Sequence, residues 1–282
     1  MGPLTHGGPF AEQTVDTVKI GDVAVSRFIL GSNPFSGFSH QGPEMSRRMM
    51  HYYTTDRIKT LLRQAEGLGI TALTARTDHH VMRFLMEYWD QGGKLMWLGQ
   101  TCPSVGPSRM CVRRALEGGA SACHIHGGVM DYLTAQNNVA DAVDGVNMIH
   151  DAGLPAGVAG HSPRVFEWAE EHLDVDYYMC CYYQPDRRDK SPEHDPGQKE
   201  RYDARDRQTM ADLIARLSKP VIHYKVMAAG RNDPAEAFGF VARHLRPTDA
   251  VCVGIYNENH PDMLAEDVRL FEQSLSVVRP RT

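Results

Sequence analysis

Short apolar runs alternate along this chain with longer stretches in which apolar residues recur every three or four positions. The runs are Phe28 to Gly31, Ile70 to Thr74, Leu95 to Gln100, Ser121 to His126, Ala156 to Gly160, Tyr177 to Tyr182, Val221 to Val226 and Val251 to Ile255. They predict eight strands. The intervening stretches predict helices over Arg57 to Glu66, Val81 to Tyr88, Met110 to Leu116, Asp131 to His150, Pro163 to His172, Arg207 to Leu217, Pro234 to His244 and Pro261 to Val277. Their ends carry the expected punctuation: Thr55-Asp56 opens the first, and Gly67 and Gly69 close it.

Eight βα units within 282 residues predict an α/β fold, a (β/α)8 TIM barrel forming a single domain over 1–282, with its chemistry at the carboxyl ends of the strands. A doubly wound sheet would need a glycine-rich turn after the first strand, and Leu30-Gly31-Ser32-Asn33-Pro34 is not one. Val18 to Val25 reads as an N-terminal β-hairpin around Gly21-Asp22 that caps the bottom of the barrel. Pro185 to Arg207 (residues 185–207), with three prolines and dense charge, reads as a solvated loop after the sixth strand or as a lid over the mouth.

The fourth run ends in Cys123-His124-Ile125-His126-Gly127. Strand side chains alternate between faces, so His124 and His126 are expected to project together, away from Cys123 and Ile125. Other strand ends carry His79-His80, His161 and His223, part of a load of 14 histidines. Buried strand histidines also occur as hydrogen-bonded core residues without chemistry, and that alternative stands beside the functional one.

Composition narrows the partners. A formal charge of -5, a pI near 6.3 and scattered Lys and Arg leave no nucleic-acid footprint, so a small polar substrate is expected, with the oligomeric state left open. There is no apolar run long enough to span a membrane and no basic-then-apolar leader, which predicts a cytoplasmic protein. The six cysteines show no CxxC spacing, so no structural disulfide is expected.

Val25 to Gly31, Ala65 to Ile70, Ala122 to Gly127, Gly160 to Pro163, Val226 to Gly230 and Gly254 to Asn257 with Glu266-Asp267, in this order along the chain, together resemble the aldo-keto reductases. Val25 to Gly31 resembles that family's opening strand, and Ala65-Glu66-Gly67-Leu68-Gly69-Ile70 its A-x-x-x-G-I. Ala122 to Gly127 is similar to D-x-x-x-I-H, Gly160-His161-Ser162-Pro163 to G-x-S-N, Val226 to Gly230 to P-L-x-x-G, and Gly254-Ile255-Tyr256-Asn257 with Glu266-Asp267 to G-x-x-N...E-N. The resemblance implies a TIM barrel and NADPH-dependent carbonyl reduction by an Asp, Tyr, Lys and His tetrad. Of these only the histidine carries over, as His126. The aspartate falls near Thr74, the tyrosine on Asp78-His79-His80 and the lysine on Gln100-Thr101.

Without a phenol no tyrosine can protonate the carbonyl oxygen, and without the lysine nothing would lower such a phenol's pKa. After the last strand, Tyr256-Asn257-Glu258-Asn259-His260 offers an acid where an adenosine phosphate needs cations, so NAD(P)H is not the expected cofactor. The expected catalytic residues are His126, His161, Lys225, Asp78 and His79. Asn33, Arg76, Gln100, Tyr182, Tyr183 and Asn257 are expected to bind substrate.

His124, His126 and His161, with Asp78 or His79, make a donor set suited to a divalent metal, zinc or manganese. Lys225, expected on one strand face with His223, suits a Schiff base or general base. The expected function is metal- or His/Lys-assisted non-hydride chemistry, of isomerase, lyase or hydrolase type, on a small sugar-like or carbonyl substrate. A divergent NAD(P)H-dependent reductase and a catalytically inert binding barrel are the alternatives.

Overall fold

The computed structural model describes residues 15–186, 188–193 and 200–278. A hairpin of β1 (Thr17–Ile20) and β2 (Val23–Ser26) precedes eight parallel strands: β3 (Phe28–Gly31), β4 (Ala72–Arg76), β5 (Met96–Gln100), β6 (Ala122–Ile125), β7 (Ala156–Gly160), β8 (Tyr177–Cys181), β9 (Val221–Tyr224) and β10 (Ala250–Gly254). β10 pairs with both β9 and β3, so the sheet closes into a barrel. The TIM barrel with its N-terminal hairpin is as the alternation of patterns predicts.

Around it lie α1 (Pro43–Tyr52), α2 (Thr55–Gly67), α3 (His79–Asp90), α4 (Ser108–Glu117), α5 (Gly127–Ala135), α6 (Ala140–Asp151), α7 (Pro163–His172), α8 (Ala204–Ile214), α9 (Pro234–His244) and α10 (Met263–Val278). Two differences from the sequence reading have simple causes. The single helix expected over Asp131 to His150 is two, because Asn137 takes a left-handed φ of 51° and turns the chain between α5 and α6. α1 has no place in the periodic reading because only Met49 of its residues is buried.

Closure sorts the strand side chains into two cores. Outward-facing residues such as Cys123, Ile125 and Tyr178 pack under the helices, while Ile29, Leu98, Ala122, Tyr177, Met179 and Ile222 fill the barrel, stoppered below by Val18, Ile20 and Val25 of the hairpin. The register places inward residues in layers of four from alternate strands, as barrel closure requires. Ascending from the hairpin these are Ala72, Ala122, Tyr177 and Ala250; then Ile29, Leu98, Gly157 and Ile222; then Thr74, His124, Met179 and Cys252; then Gly31, Gln100, Ala159 and Tyr224.

Gly157 has no side chain because the Tyr177 ring occupies its space: a Cβ there would lie 2.6 Å from Cζ of that ring. Gly157→Ala is therefore expected to cost about 1 to 3 kcal/mol by overpacking. Urea denaturation would read the loss, and an unchanged midpoint would contradict this packing.

Candidate active site

The mouth is assembled from strand ends that the loops then tie together. β9 ends with Tyr224 facing inward, and strand alternation would send Lys225 outward with His223. His223 does face outward, where its Nδ1 meets the Tyr182 hydroxyl at 2.9 Å and its Nε2 meets Asp249 Oδ2 at 3.2 Å. Lys225 instead adopts φ 55°, which breaks the alternation and turns its Nζ to within 3.4 Å of His161 Nε2. A left-handed non-glycine residue costs roughly 1 to 2 kcal/mol. Ala228 and Ala229 repeat the conformation in the same loop, at φ 47° and 54°, a concentration of strain typical of working loops.

His161 is held from behind. Asp131, on the second turn of α5, accepts its Nδ1–H at 2.7 Å and also takes the backbone N–H of His161 (3.1 Å) and of Ser162 (3.0 Å). A carboxylate only accepts, so the imidazole proton sits on Nδ1 and the Nε2 lone pair faces Lys225 Nζ and the Tyr224 hydroxyl, each 3.4 Å away. His126 sits just past β6 as the N-cap of α5, its Nδ1 accepting the Gly128 N–H at 3.1 Å. That leaves Nε2–H of the neutral ring as a donor without an acceptor among the described residues. Gly127 lets these groups close up, since a Cβ there would meet the Tyr224 hydroxyl at 2.8 Å and His161 Cε1 at 3.1 Å.

Arg188, 6% exposed, comes from the expected loop over 185–207 and bonds Asp186 Oδ1 (3.0 Å) and the Pro192 carbonyl (3.1 Å). The described part of that segment is thus partly buried, not simply solvated. Arg201 N–H reaches the Pro185 carbonyl at 2.7 Å and closes the loop's base. Residues 187 and 194–199 lie outside the described residues.

Other expected site residues are committed elsewhere. Asp78 caps α3 through Val81 N–H and pairs with Arg76 at 3.0 Å, and Arg76 also reaches Ser104 Oγ at 2.7 Å. His79 is exposed on the first turn of α3. Tyr182 faces the outer core, and Asn257 Oδ1 accepts the Tyr52 and Tyr53 hydroxyls at 3.2 and 3.1 Å. Asn33 opens a short 3-10 turn, and Gln100 does face the barrel axis.

The proposed metal set is not assembled: among the described residues no three His, Cys, Asp or Glu side chains come together as ligands. His124 lies a layer below the rim, with Nδ1 on the Tyr177 hydroxyl at 3.1 Å, while Nδ1 of His126 and of His161 are taken by Gly128 and Asp131. Asp131, Tyr224 and Arg188 escaped the sequence reading. Asp131 meets His161 across 30 residues, a contact that no local spacing signals.

Burial governs the electrostatics. It lowers His161, against the raising effect of Asp131, and holds His126 well below its usual range, with Arg188 and Lys225 adding to the effect. Burial also pushes Cys181, beneath Lys225, up to about 12, so it stays a thiol. His124 is lowered to about 3 by burial alone.

Folding therefore excludes a proton that the unfolded His124 binds below about pH 6.5, and its contribution to stability is present above that pH and lost as the pH falls. Between pH 7 and 5 the expected loss is about 2 kcal/mol from this residue, read by urea denaturation at both pH values. In His124→Gln this share of the pH dependence should disappear; if it persists, His124 is not its source.

No family model matches this chain, and no curated protein matches it. Among solved structures, an aldo-keto reductase from Pseudomonas aeruginosa superposes with a TM-score of 0.61 at 18% identity, over 92% of this chain and 94% of that one. This is an aldo-keto-reductase-like TIM barrel in fold. Gox0644 in its apo form gives a TM-score of 0.58 at 10% identity, covering 94% and 93% of the two chains. A truncated 3-deoxy-D-arabino-heptulosonate 7-phosphate synthase from Thermotoga maritima gives 0.50 at 12%, covering 94% and 90%. At such identities the likeness carries the barrel and no chemistry.

The residues where the resemblance would put a nicotinamide cofactor do not fit it. Tyr183, expected to bind substrate, is 2% exposed, with its hydroxyl on Asn232 (2.7 Å) and its ring against Tyr202 (5.4 Å). Past β10, Glu258 binds Arg48 at 2.5 Å and the Tyr256 hydroxyl at 2.6 Å, so the cation there is already neutralised. No described helix is long and apolar enough to cross a membrane, and all six cysteines are free and buried.

Proposed function

We propose that this protein is an enzyme that attacks a small carbonyl substrate with the Lys225 amine, as an aldolase-type lyase or an isomerase. The observation that carries the reading is the Asp131–His161–Lys225 chain: a nucleophile within reach of a base that a carboxylate orients, the arrangement that activates a weak nucleophile. The 3.4 Å separation of Nζ and Nε2 is long, as catalytic hydrogen bonds commonly are before substrate binds.

In the chemistry that follows, His161 Nε2 takes a proton from the Lys225 ammonium, and the free amine adds to the carbonyl carbon. The carbonyl oxygen, polarised by His126 Nε2–H, leaves as water after taking a proton from the adduct nitrogen and one from His161. A protonated Schiff base remains on Nζ, an electron sink that acidifies the adjacent carbon. His161, neutral again, is placed to take the proton from that carbon or to assist cleavage beside it.

Asp131 is a positioning residue that fixes the tautomer. Buried reduced cysteines suit a reducing compartment, in keeping with a cytoplasmic setting.

The test is reductive trapping. Borohydride with a small aldehyde or ketone should attach the substrate to Lys225, located by peptide mass spectrometry. Unmodified Lys225 alongside saturable NADPH binding, followed by fluorescence, would overturn the reading in favour of a reductase.

A further inference from the structure

The loop after β5 brings two thiols and a guanidinium together. Cys102, just beyond the strand, and Cys111, on the first turn of α4, are both free. Cys111 Sγ–H donates to the Cys102 carbonyl at 3.3 Å, and the Cys102 N–H donates back to the same sulfur at 3.4 Å. A sulfur that touches both ends of one residue's backbone keeps the two Cα atoms within roughly 7 Å, the span a disulfide bridges.

Cys102 Sγ has a different neighbour. Arg76 Nη2 lies 2.6 Å from it and Ser104 Oγ 3.1 Å. Arg76 ends β4 and is fixed by Asp78 at 3.0 Å and by the Phe38 ring, whose centroid is 4.7 Å from its Cζ. Asp78 takes the Nε edge, which leaves Nη2 to the sulfur and the hydroxyl. A guanidinium directed at sulfur offsets negative charge that forms there.

Cys102 is 2% exposed, yet it lines a cavity of about 300 Å³ walled by Pro103, Pro107, Val129, Leu133 and Pro192. That is many times the space a water-sized molecule needs. The other four cysteines lie in strands, where burial pushes Cys123, Cys181 and Cys252 each up to about 12 and Cys180 well above the usual thiol range. They stay inert thiols. Burial also raises Cys111, which suits it to the second step of an oxidation and not to the first.

We propose that Cys102 and Cys111 form a redox site that small hydroperoxides oxidise to a disulfide. The Cys102 sulfur attacks one peroxide oxygen: an S–O bond forms as the O–O bond breaks, the sulfur is oxidised by two electrons and the peroxide is reduced. The leaving oxygen takes the proton that Cys102 gives up and departs as water or an alcohol. The Cys111 sulfur then attacks the sulfenic acid, an S–S bond replaces the S–O bond, and the hydroxide leaves as water with the Cys111 proton. Forming the bond swings Cys102 Sγ from Arg76 toward Cys111. Its neighbour Thr101 accepts the His126 N–H at 2.8 Å, so the oxidation is felt at the mouth. The site does not depend on the Lys225 chemistry.

Peptide mapping tests it. Trypsin cuts after Lys94, Arg109 and Arg113, which puts Cys102 in the peptide of residues 95–109 and Cys111 in that of 110–113. Folded protein treated with equimolar hydrogen peroxide, alkylated and digested should yield those two peptides joined, and dithiothreitol should separate them. In Cys111→Ala the sulfenic acid should stay on Cys102 and be captured by dimedone. Arg76→Met should slow the oxidation about 10-fold, the scale of a charge-assisted hydrogen bond, with an unchanged circular dichroism spectrum. The wild-type map decides without any variant. A different cysteine oxidised first, all six still reduced in excess peroxide, or dimedone on Cys102 with no joined peptide would each overturn the site.

Discussion

Lys225→Met is expected to abolish the trapped adduct and to lower turnover of a carbonyl substrate by roughly 1,000-fold or more, the scale of removing a nucleophile. The fold should survive, because Lys225 is half-buried at the mouth and, among the described residues, its side chain's hydrogen bond is the 3.4 Å contact to His161. An unchanged circular dichroism spectrum with lost labelling is the expected pair of results. Asp131→Asn tests the same chain from its other end. The amide can donate to His161 Nδ1 and turn the proton onto Nε2, where it blocks the lone pair facing Lys225.

A loss of roughly 100- to 10,000-fold in kcat follows from the wrong tautomer. The pH profile adds a readout that a merely structural role would not move. Asp131 raises His161 against the lowering by burial, so its removal lowers His161 further and shifts the acid limb of kcat/KM to lower pH. A limb that stays in place would remove His161 as the base.

Asp249→Ala should give the largest loss of stability. Its carboxylate is fully buried and accepts bonds from Val221 N–H (3.0 Å), Arg246 Nε (2.8 Å) and Nη2 (2.9 Å), and His223 Nε2 (3.2 Å). Removing one member of such a cluster strands the others, at about 3 to 5 kcal/mol. Burial alone would raise Asp249, but His223 and Arg246 outweigh it and hold it well below the carboxylate range. The depressed carboxylate contributes stability above about pH 4 that is lost as the pH falls below it, whereas lowered His223 loses its share already below about pH 6.5.

Urea denaturation at pH 7 should show the full deficit in Asp249→Ala, and the gap to wild type should narrow in acid. A deficit under 1 kcal/mol would mean that solvent replaces the lost bonds. The network joins the start of β9 to the start of β10 at the foot of the barrel, opposite the mouth, so its loss is expected to affect folding before chemistry.

The eight strands were legible because each is a local event: a short apolar run buried on both faces by the barrel and the helices. The hairpin was legible for the same reason, as Gly21 at φ 59° supplies the turn that its sequence announces. His126 and His161 could be picked out because strand ends point at the mouth of any such barrel, and Lys225 because it follows one.

What the sequence by itself determined, then, is the barrel, and it offered His126, His161 and Lys225 as candidates at its strand ends. The tertiary structure decided their partners. Lys225 reaches His161 only because a left-handed residue reverses the strand alternation, and Asp131 holds His161 only because α5 docks beside β7. His124 separates from His126 because the strand stops at Ile125, leaving one imidazole inside the barrel and the other capping a helix. The physical reason is common to all three: periodicity fixes the face on which a side chain starts, while the atom it meets is set by backbone turns and by chains distant in sequence.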